Sequence, residues 1–385
     1  MKKILFVIPS YQLGGTNTSL MNLVSNIDAT QYELYIYAIN DEGPLKSELL
    51  KYCKAIGQIN GTDSTGKRSF KTQVMSIGKK VFKMIRFLGI DMSSSYYMRI
   101  ANSFDRYHFD CIIAFQEGNA TRLVSYCRNC KKVAWVRSEY TRYLRILNRK
   151  PEVELYGKFD TIVNVSNTAM KNFVSALPQY KNKTTFVYNL LNKERVLRMS
   201  NEPCEYSKDG LFTIISIGRV DPVKRFSEIP DIAAKMKNNG LRFRWLILGG
   251  KQLTHPEEFE NIEQKIKNYG LQNDVLLMGN QPNPYNILKQ GDLLVCLSES
   301  ETFNHTFFEA RLLNVPVLSV DYDSASEMLK PNTGGRIVKR ELIGDEIENL
   351  MMKISLYDNM KGEIKNFSYD NQAIINKIYS EVFQN

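Results

Sequence analysis

Short apolar runs recur along this chain at intervals that leave room for a helix between most of them. In the first half they fall at Lys3–Pro9, Glu33–Ile39, Cys111–Phe115, Lys132–Val136, Thr161–Val165 and Thr184–Val187. In the second half they fall at Phe212–Ile217, Arg244–Leu248, Asp274–Met278, Leu293–Leu297 and Val315–Val320. Apolar runs this short between helical patterns read as strands buried on both faces. Such strands pair in parallel through crossover helices, so the alternation predicts an α/β fold with doubly wound parallel sheets. A chain of 385 residues is long for one such sheet. Composition turns polar over residues 192–210, and a strong strand restarts at Phe212. Two domains of similar size are expected, facing each other across a cleft. Open α/β sheets bind ligands at the carboxyl ends of their strands, which makes that cleft the expected site.

Hydrophobic residues at 43% and charged residues at 24% exclude a disordered tail, a collagen-like fibre and a coiled-coil rod. The net charge of +10 suggests an anionic partner. That excess is local: residues 65–150 hold 18 basic and five acidic residues. Six cysteines are too sparse to staple the fold. Cys127 and Cys130 form a CxxC with no second CxxC or His pair to complete a zinc site, and read as ordinary thiols. The apolar run after Lys2 and Lys3 is shorter than the ~7–15 residues of a secretory leader. No run reaches the ~18 apolar residues of a membrane span. A cytoplasmic or peripheral protein is expected.

Three features carry chemistry. Gly14-Gly15 lies between the first strand and a helical pattern, where glycine admits a ligand and free helix amides face an anion. The dinucleotide fingerprint GxGxxG is absent, which disfavours a Rossmann dehydrogenase. Arg219 and Lys224 lie just past the strand ending at Ile217, and two cations there suit a diphosphate. The most informative segment runs from Ser298 to Leu318. A helix beginning near Asn304 leaves Glu301 on the preceding loop and sets Glu309 about 7 Å inside. A nucleotide sugar across that helix start would meet both: Glu309 at ribose hydroxyls, Glu301 at sugar hydroxyls, and the amides near Phe303, Asn304, His305 and Thr306 at phosphate. Ordinary helix-start acids are the plain alternative. A glycosidase pair is another, and needs one carboxyl with a raised pKa.

In this order the features resemble the retaining GT-B glycosyltransferases of the GT4 family, the glycosyl transferases group 1, including bacterial capsular and exopolysaccharide enzymes. Glu301 and Glu309 have the family's E-x7-E spacing. Residues 218–224, GRVDPVK, look like its diphosphate loop, and Gly14-Gly15 matches its N-terminal glycine loop. Residues 309–321, EARLLNVPVLSVD, resemble its EAMACGxPVVATD, with Glu327 matching the acid that follows. The chain departs from the pattern at Thr302 and Asn314, where glycine is common. It departs again at Arg137, where many relatives carry histidine before a small polar residue.

The resemblance implies a GT-B fold: an acceptor-side domain at 1–195, a nucleotide-sugar domain at 196–367, and a C-terminal helix at about 368–385 packing back on the first. It implies retaining transfer of a hexose-type sugar from a UDP- or GDP-sugar, UDP favoured, to a glycan or lipid-linked glycan in bacterial surface polysaccharide synthesis. No cofactor or metal is needed. Glu301, Arg219 and Lys224 become the catalytic residues. Gly14, Gly15, Phe303, Asn304, His305, Thr306, Glu309 and Gln281 become donor-binding residues, and Arg137 and Glu139 acceptor-side residues.

The basic segment has its own reading. Over 71–90, Val74, Ile77, Val81, Met84 or Ile85 and Leu88 recur at helical spacing, flanked by Lys79, Lys80, Lys83 and Arg86. Residues 137–150 add a second basic run with Tyr140, Tyr143, Leu144 and Leu147. Basic amphipathic faces bind anionic membrane surfaces; a core-packed helix with a solvated basic face is the alternative. A nucleic-acid binder is disfavoured, because no RNP, KH or helix-turn-helix signature accompanies the charge. A non-catalytic GT-B partner protein, binding a glycosyltransferase or glycan, is the second reading of the whole.

Overall fold

Thirteen strands form two separate parallel sheets among the described residues of a computed structural model, which cover 1–12, 14–57 and 92–384. The basic helix expected at 71–90 lies outside them. The first sheet holds β1 (Lys2–Ile8), β2 (Tyr32–Ala38), β3 (Lys54–Ala55), β4 (Cys111–Ala114), β5 (Lys131–Val136), β6 (Thr161–Asn164) and β7 (Thr184–Phe186). Its order is β3-β2-β1-β4-β5-β6-β7. The second holds β8 (Phe212–Ile217), β9 (Phe243–Leu248), β10 (Val275–Gly279), β11 (Leu293–Cys296), β12 (Val317–Val320) and β13 (Gly335–Val338), in the order β10-β9-β8-β11-β12-β13. Every pairing between these strands is parallel.

Each sheet winds outward in both directions from its first strand. The chain leaves β1 toward β2 and returns to β4 on the other side, as it leaves β8 toward β9 and returns to β11. The loops after the two central neighbours therefore diverge and open a crevice at the carboxyl edge. Burial follows this plan. Ile4 to Ile8 of β1 are wholly buried, as central strands covered on both faces require. In the second sheet the centre is pinned by a polar chain. Trp245 Nε1 donates to Ser216 Oγ at 3.1 Å, and that hydroxyl donates to the Val295 carbonyl at 2.8 Å. These bonds tie β9, β8 and β11 together and satisfy every polar atom they bury.

The chain divides into two compact units. One comprises Met1–Val165, Met170–Tyr188 and the chain from Gln372 onward; the other comprises Ser166–Ala169 and Asn189–Asn371. The C-terminal segment belongs to the first unit through aromatic contacts. The Tyr379 ring stacks on Tyr32 at 4.9 Å and its hydroxyl accepts from the Asp28 amide at 2.8 Å, while Phe383 is buried. All six cysteines are free thiols, and burial pushes the Cys127 thiol up and Cys130 to about 11. No helix among the described residues is long and apolar enough to cross a membrane.

The run at 137–150 proves to be mainly core on its apolar side. Tyr140 and Leu144 of helix Tyr140–Ile146 are buried, Tyr140 packing edge-on against Tyr156. The helix's exposed apolar positions are instead Ile146 and, just past its end, Leu147.

Candidate functional site

In the second unit, β8 and β11 end side by side, and the loops that leave them build one site. The β8 loop turns at Gly218, whose N–H donates to the Leu248 carbonyl at 3.0 Å. A Cβ on neighbouring Gly249 would stand 2.0 Å from the Gly218 carbonyl oxygen, so glycine there is a packing requirement. Gly218 itself lies against the aliphatic stem of Lys224, where a Cβ would meet Cε at 3.1 Å. Asp221 caps the short turn Pro222–Lys224, accepting from the Lys224 amide at 3.3 Å. Its other oxygen lies 3.2 Å from Arg219, whose side chain is 74% exposed.

Lys224 reaches across to the β11 loop. Its Nζ donates to Glu301 Oε1 at 2.5 Å, with the two side chains only 18% and 15% exposed. Burial is the strongest single influence and works against the ammonium, but the charge and hydrogen bond of Glu301, with smaller pulls from Cys296 and Asp221, together hold the Lys224 pKa above its ordinary value. Ser298 Oγ also donates to Glu301 Oε1 at 2.7 Å, and Ser324 Oγ donates to the Glu301 carbonyl at 2.5 Å. The loop itself is anchored. The Glu299 amide donates to the Val223 carbonyl at 2.9 Å, and Arg340 donates to the Leu297 carbonyl at 2.9 Å.

Helix His305–Leu312 follows. Asn304 is its N-cap, its side-chain oxygen accepting from the Thr306 amide at 3.1 Å and from Thr306 Oγ1 at 2.5 Å. The Thr306 amide, expected to face phosphate, is therefore already spent on the cap. Phe303 is buried and stacks on Phe308 at 5.0 Å, so its ring belongs to an aromatic cluster, with His305 edge-on to it at 5.1 Å. Arg311 braces the same helix. It is buried, donates to Thr333 Oγ1 and the Met328 carbonyl at 3.0 Å each, and stacks on Phe367. Burial lowers its pKa to about 10. The helix ends with Asn314 in the left-handed region, φ 61°, and the Val315 amide donates back to the Ala310 carbonyl at 2.9 Å. Asparagine tolerates that conformation, which accounts for its standing where glycine is expected.

One turn into the helix, Glu309 is 7% exposed and accepts at Oε1 from the Tyr285 hydroxyl at 3.0 Å. Burial pushes its pKa up to about 7, against the pull of Tyr285 and of the Arg195 charge. Beyond β9 and β10, the Gly250 amide donates to Asn280 Oδ1 at 2.9 Å, while Gln281 turns back onto the Met278 carbonyl at 2.5 Å. Glu327 is occupied within the same unit, accepting from the Asn167 and Thr168 amides at 2.7 and 2.9 Å.

The first unit carries its own edge features. Helix Gly15–Val24 has no side-chain cap at Gly14, and a Cβ at Gly14 or Gly15 would meet nothing within 4 Å. That leaves amides and space for an anion. Past β5, Arg137 stacks on Phe115 at 4.7 Å, and burial lowers its pKa to about 9 while Glu117 opposes the shift. Glu117 is a residue that sequence reading missed. It is 8% exposed, and its Oε1 accepts from the Arg137 and Ser138 amides at 2.8 and 2.6 Å and from Ser138 Oγ at 2.6 Å. Glu139 caps helix Tyr140–Ile146 through the Arg142 amide, which gives its carboxylate a structural task. A cavity of about 570 Å³ opens elsewhere in this unit, lined by Tyr97, Arg122, Tyr126, Glu152 and Lys158 among others. None of these residues belongs to the strand-edge features.

Residues 203–367 match the family model of glycosyl transferases group 1. Over that stretch the second unit is similar to the glycosyl transferases group 1. Relatives agree across more of the chain. An uncharacterized glycosyltransferase of Methanocaldococcus jannaschii is 29% identical over 54% of this chain and 50% of its own length. An N-acetylgalactosaminyltransferase of Campylobacter jejuni, acting on a diphospho-undecaprenol-linked acceptor, is 24% identical over 76% of this chain and 71% of its own. The chain thus spans about half the length of the first of these. Among solved structures, Anabaena HepE in complex with UDP superposes with a TM-score of 0.70 at 17% identity, covering 98% of both chains. That likeness establishes a GT-B fold of two Rossmann-like parallel-sheet domains. The stretch that matches the family model contains Arg219, Lys224, Glu301 and Glu309 together.

Proposed function

We propose that this chain is a retaining hexosyltransferase that moves a sugar from a nucleotide donor, UDP-linked in preference to GDP-linked, to a lipid-linked or free glycan. The observation that carries the reading is the Lys224–Glu301 pair held at the carboxyl edge of β8 and β11, inside the stretch that matches the glycosyl transferases group 1 model. A departing nucleoside diphosphate gains charge as the glycosidic bond breaks, and fixed donors aimed at it lower the barrier. Lys224 supplies a point charge whose position is set by Gly218 and Asp221. Arg219, exposed and loosely paired, would close on the same phosphates. Glu301, already bonded by Lys224 and Ser298, would orient the sugar through its hydroxyls rather than attack it. Glu309 would take the ribose. The donor phosphate would accept the acceptor's proton, so neither a metal nor a protein base is required. The UDP-bound Anabaena neighbour and the lipid-linked acceptor of the Campylobacter relative support the donor and acceptor classes.

A thermal-shift panel of UDP, GDP and ADP tests the donor class. UDP at about a hundredfold its Kd should stabilise the fold by roughly 2.7 kcal/mol, and the other nucleotides by much less. Equal or absent shifts with all three, together with no hydrolysis of any nucleotide sugar, would favour the non-catalytic partner reading instead.

A peripheral site on the inner face of a cell membrane fits such an acceptor. Its described support is the end of helix Tyr140–Ile146, where exposed Ile146 and Leu147 stand beside Arg145, Arg149 and Lys150. Anionic phosphatidylglycerol vesicles should co-sediment the protein at low salt and release it at high salt. Failure to bind them removes this part of the reading.

A further inference from the structure

The groups that orient Glu309 do not come from its own helix. The Tyr285 hydroxyl donates to Oε1 at 3.0 Å from the one-turn helix Tyr285–Leu288, and Tyr285 is itself 7% exposed. Oε2 has no hydrogen-bond partner among the described residues. Helix Lys193–Ser200 packs on both of those helices and brings the charge of Arg195 to bear on Glu309. These are the titratable and charged groups that act on Glu309 from the elements around it.

We propose that Tyr285 is a positioning residue for nucleotide binding: its hydroxyl aims the Glu309 carboxylate so that the free oxygen meets the donor's ribose hydroxyls. This rests on the ribose role given to Glu309 above. A carboxylate accepts from both hydroxyls of a vicinal diol, whereas a protonated carboxyl turns one oxygen into a donor. Burial sets the Glu309 pKa at about 7, and the Tyr285 hydroxyl and the Arg195 charge both pull it down. Nucleotide affinity therefore rises with pH through this ionisation. Removing the Tyr285 hydroxyl moves the rising limb to higher pH, and neutralising Arg195 moves it in the same direction.

The test is UDP affinity against pH for wild type, Tyr285→Phe and Arg195→Gln, with GDP used if the panel selects it. The 2′,3′-dideoxynucleotide is the control, because it shares the diphosphate's own titration and lacks the diol. Tyr285→Phe should bind UDP about tenfold more weakly at pH 7 and recover toward wild type at pH 9. The dideoxy analogue should show no such displacement. A loss of affinity equal at every pH, or equal for the dideoxy analogue, means that Tyr285 only fills space, and overturns the inference. Arg195→Gln carries the same test if Tyr285→Phe does not fold. A wild type that binds no nucleotide at any pH would overturn the underlying reading of the site as well, a result distinct from a pH profile that fails to move.

Discussion

Lys224→Met should cost at least about a hundredfold in kcat, the scale seen when one fixed donor to a developing negative charge is removed. The substitution keeps most of the stem that Gly218 packs against and removes only the charge. A stability effect should accompany it, because Glu301 then keeps Ser298 but loses its cation. Exposed pairs are worth ~0–1 kcal/mol and broken buried pairs cost ~3–5. With side chains 15–18% exposed, this one falls between, at about 2 kcal/mol. The double variant Lys224→Met/Glu301→Gln separates the two effects. It should regain most of the lost melting temperature, since no unpaired charge remains, and none of the lost turnover. Turnover within a few-fold of wild type in the single variant would remove Lys224 from the mechanism. The raised Lys224 pKa also fixes a sign. A lysine stabilised in its charged form gives stability that is complete below its unfolded pKa of about 10.4 and fades only as pH climbs through the folded value. Activity changes between pH 6 and 9 therefore do not come from the Lys224 ammonium.

Glu309→Gln should make the protein more stable at pH 8 and a poorer nucleotide binder. In the folded chain Glu309 titrates at about 7, against an ordinary 4.5. Between those values the folded state holds a proton that the unfolded state has released. Stability therefore falls as pH rises from about 4.5 to 7, and the full penalty, roughly 3 kcal/mol, is present above 7. Glutamine carries no such penalty. The variant's melting temperature should exceed wild type at pH 8 and approach it near pH 4.5, where both side chains are neutral. Nucleotide affinity at pH 8 should fall at least about tenfold with the loss of a charged hydrogen-bond acceptor. Melting curves whose difference does not change with pH would mean that Glu309 is not a strained, buried acid. A carboxylate kept at a cost to stability is what a binding site needs and a core does not.

Much of this was legible in the residues. The apolar runs marked eleven of the thirteen strands, because a parallel strand covered on both faces leaves an unbroken apolar signature. The two that escaped show why the signature fails. β3 is only two residues long, and β13 is a half-buried run with Arg336 in it, so neither is apolar throughout. The E-x7-E spacing was readable because a helix turns spacing into depth. Glu117 and Tyr285 were not readable. Each is a single polar residue whose partner lies 20 or more positions away, and no local pattern announces such a contact. The stripe at Tyr140 and Leu144 left a membrane face and a core face open, and the structure decides for the core, because helical periodicity shows that a face is apolar without showing what covers it.

The sequence by itself determined that the chain alternates strands and helices in two sets, and which charged residues follow which strands. It did so because burial on both faces and helix caps leave local traces. Only the tertiary structure decided that the loop at 218–224 lies against the loop at 298–304. That juxtaposition comes from strand order: β11 crosses back to pair with β8, and Leu293 and Leu294 lie beside Ile214 and Ile215. Residues 77 positions apart thereby meet as an ion pair. Strand order is set by how crossover helices pack across a whole sheet, and no short stretch of residues encodes it.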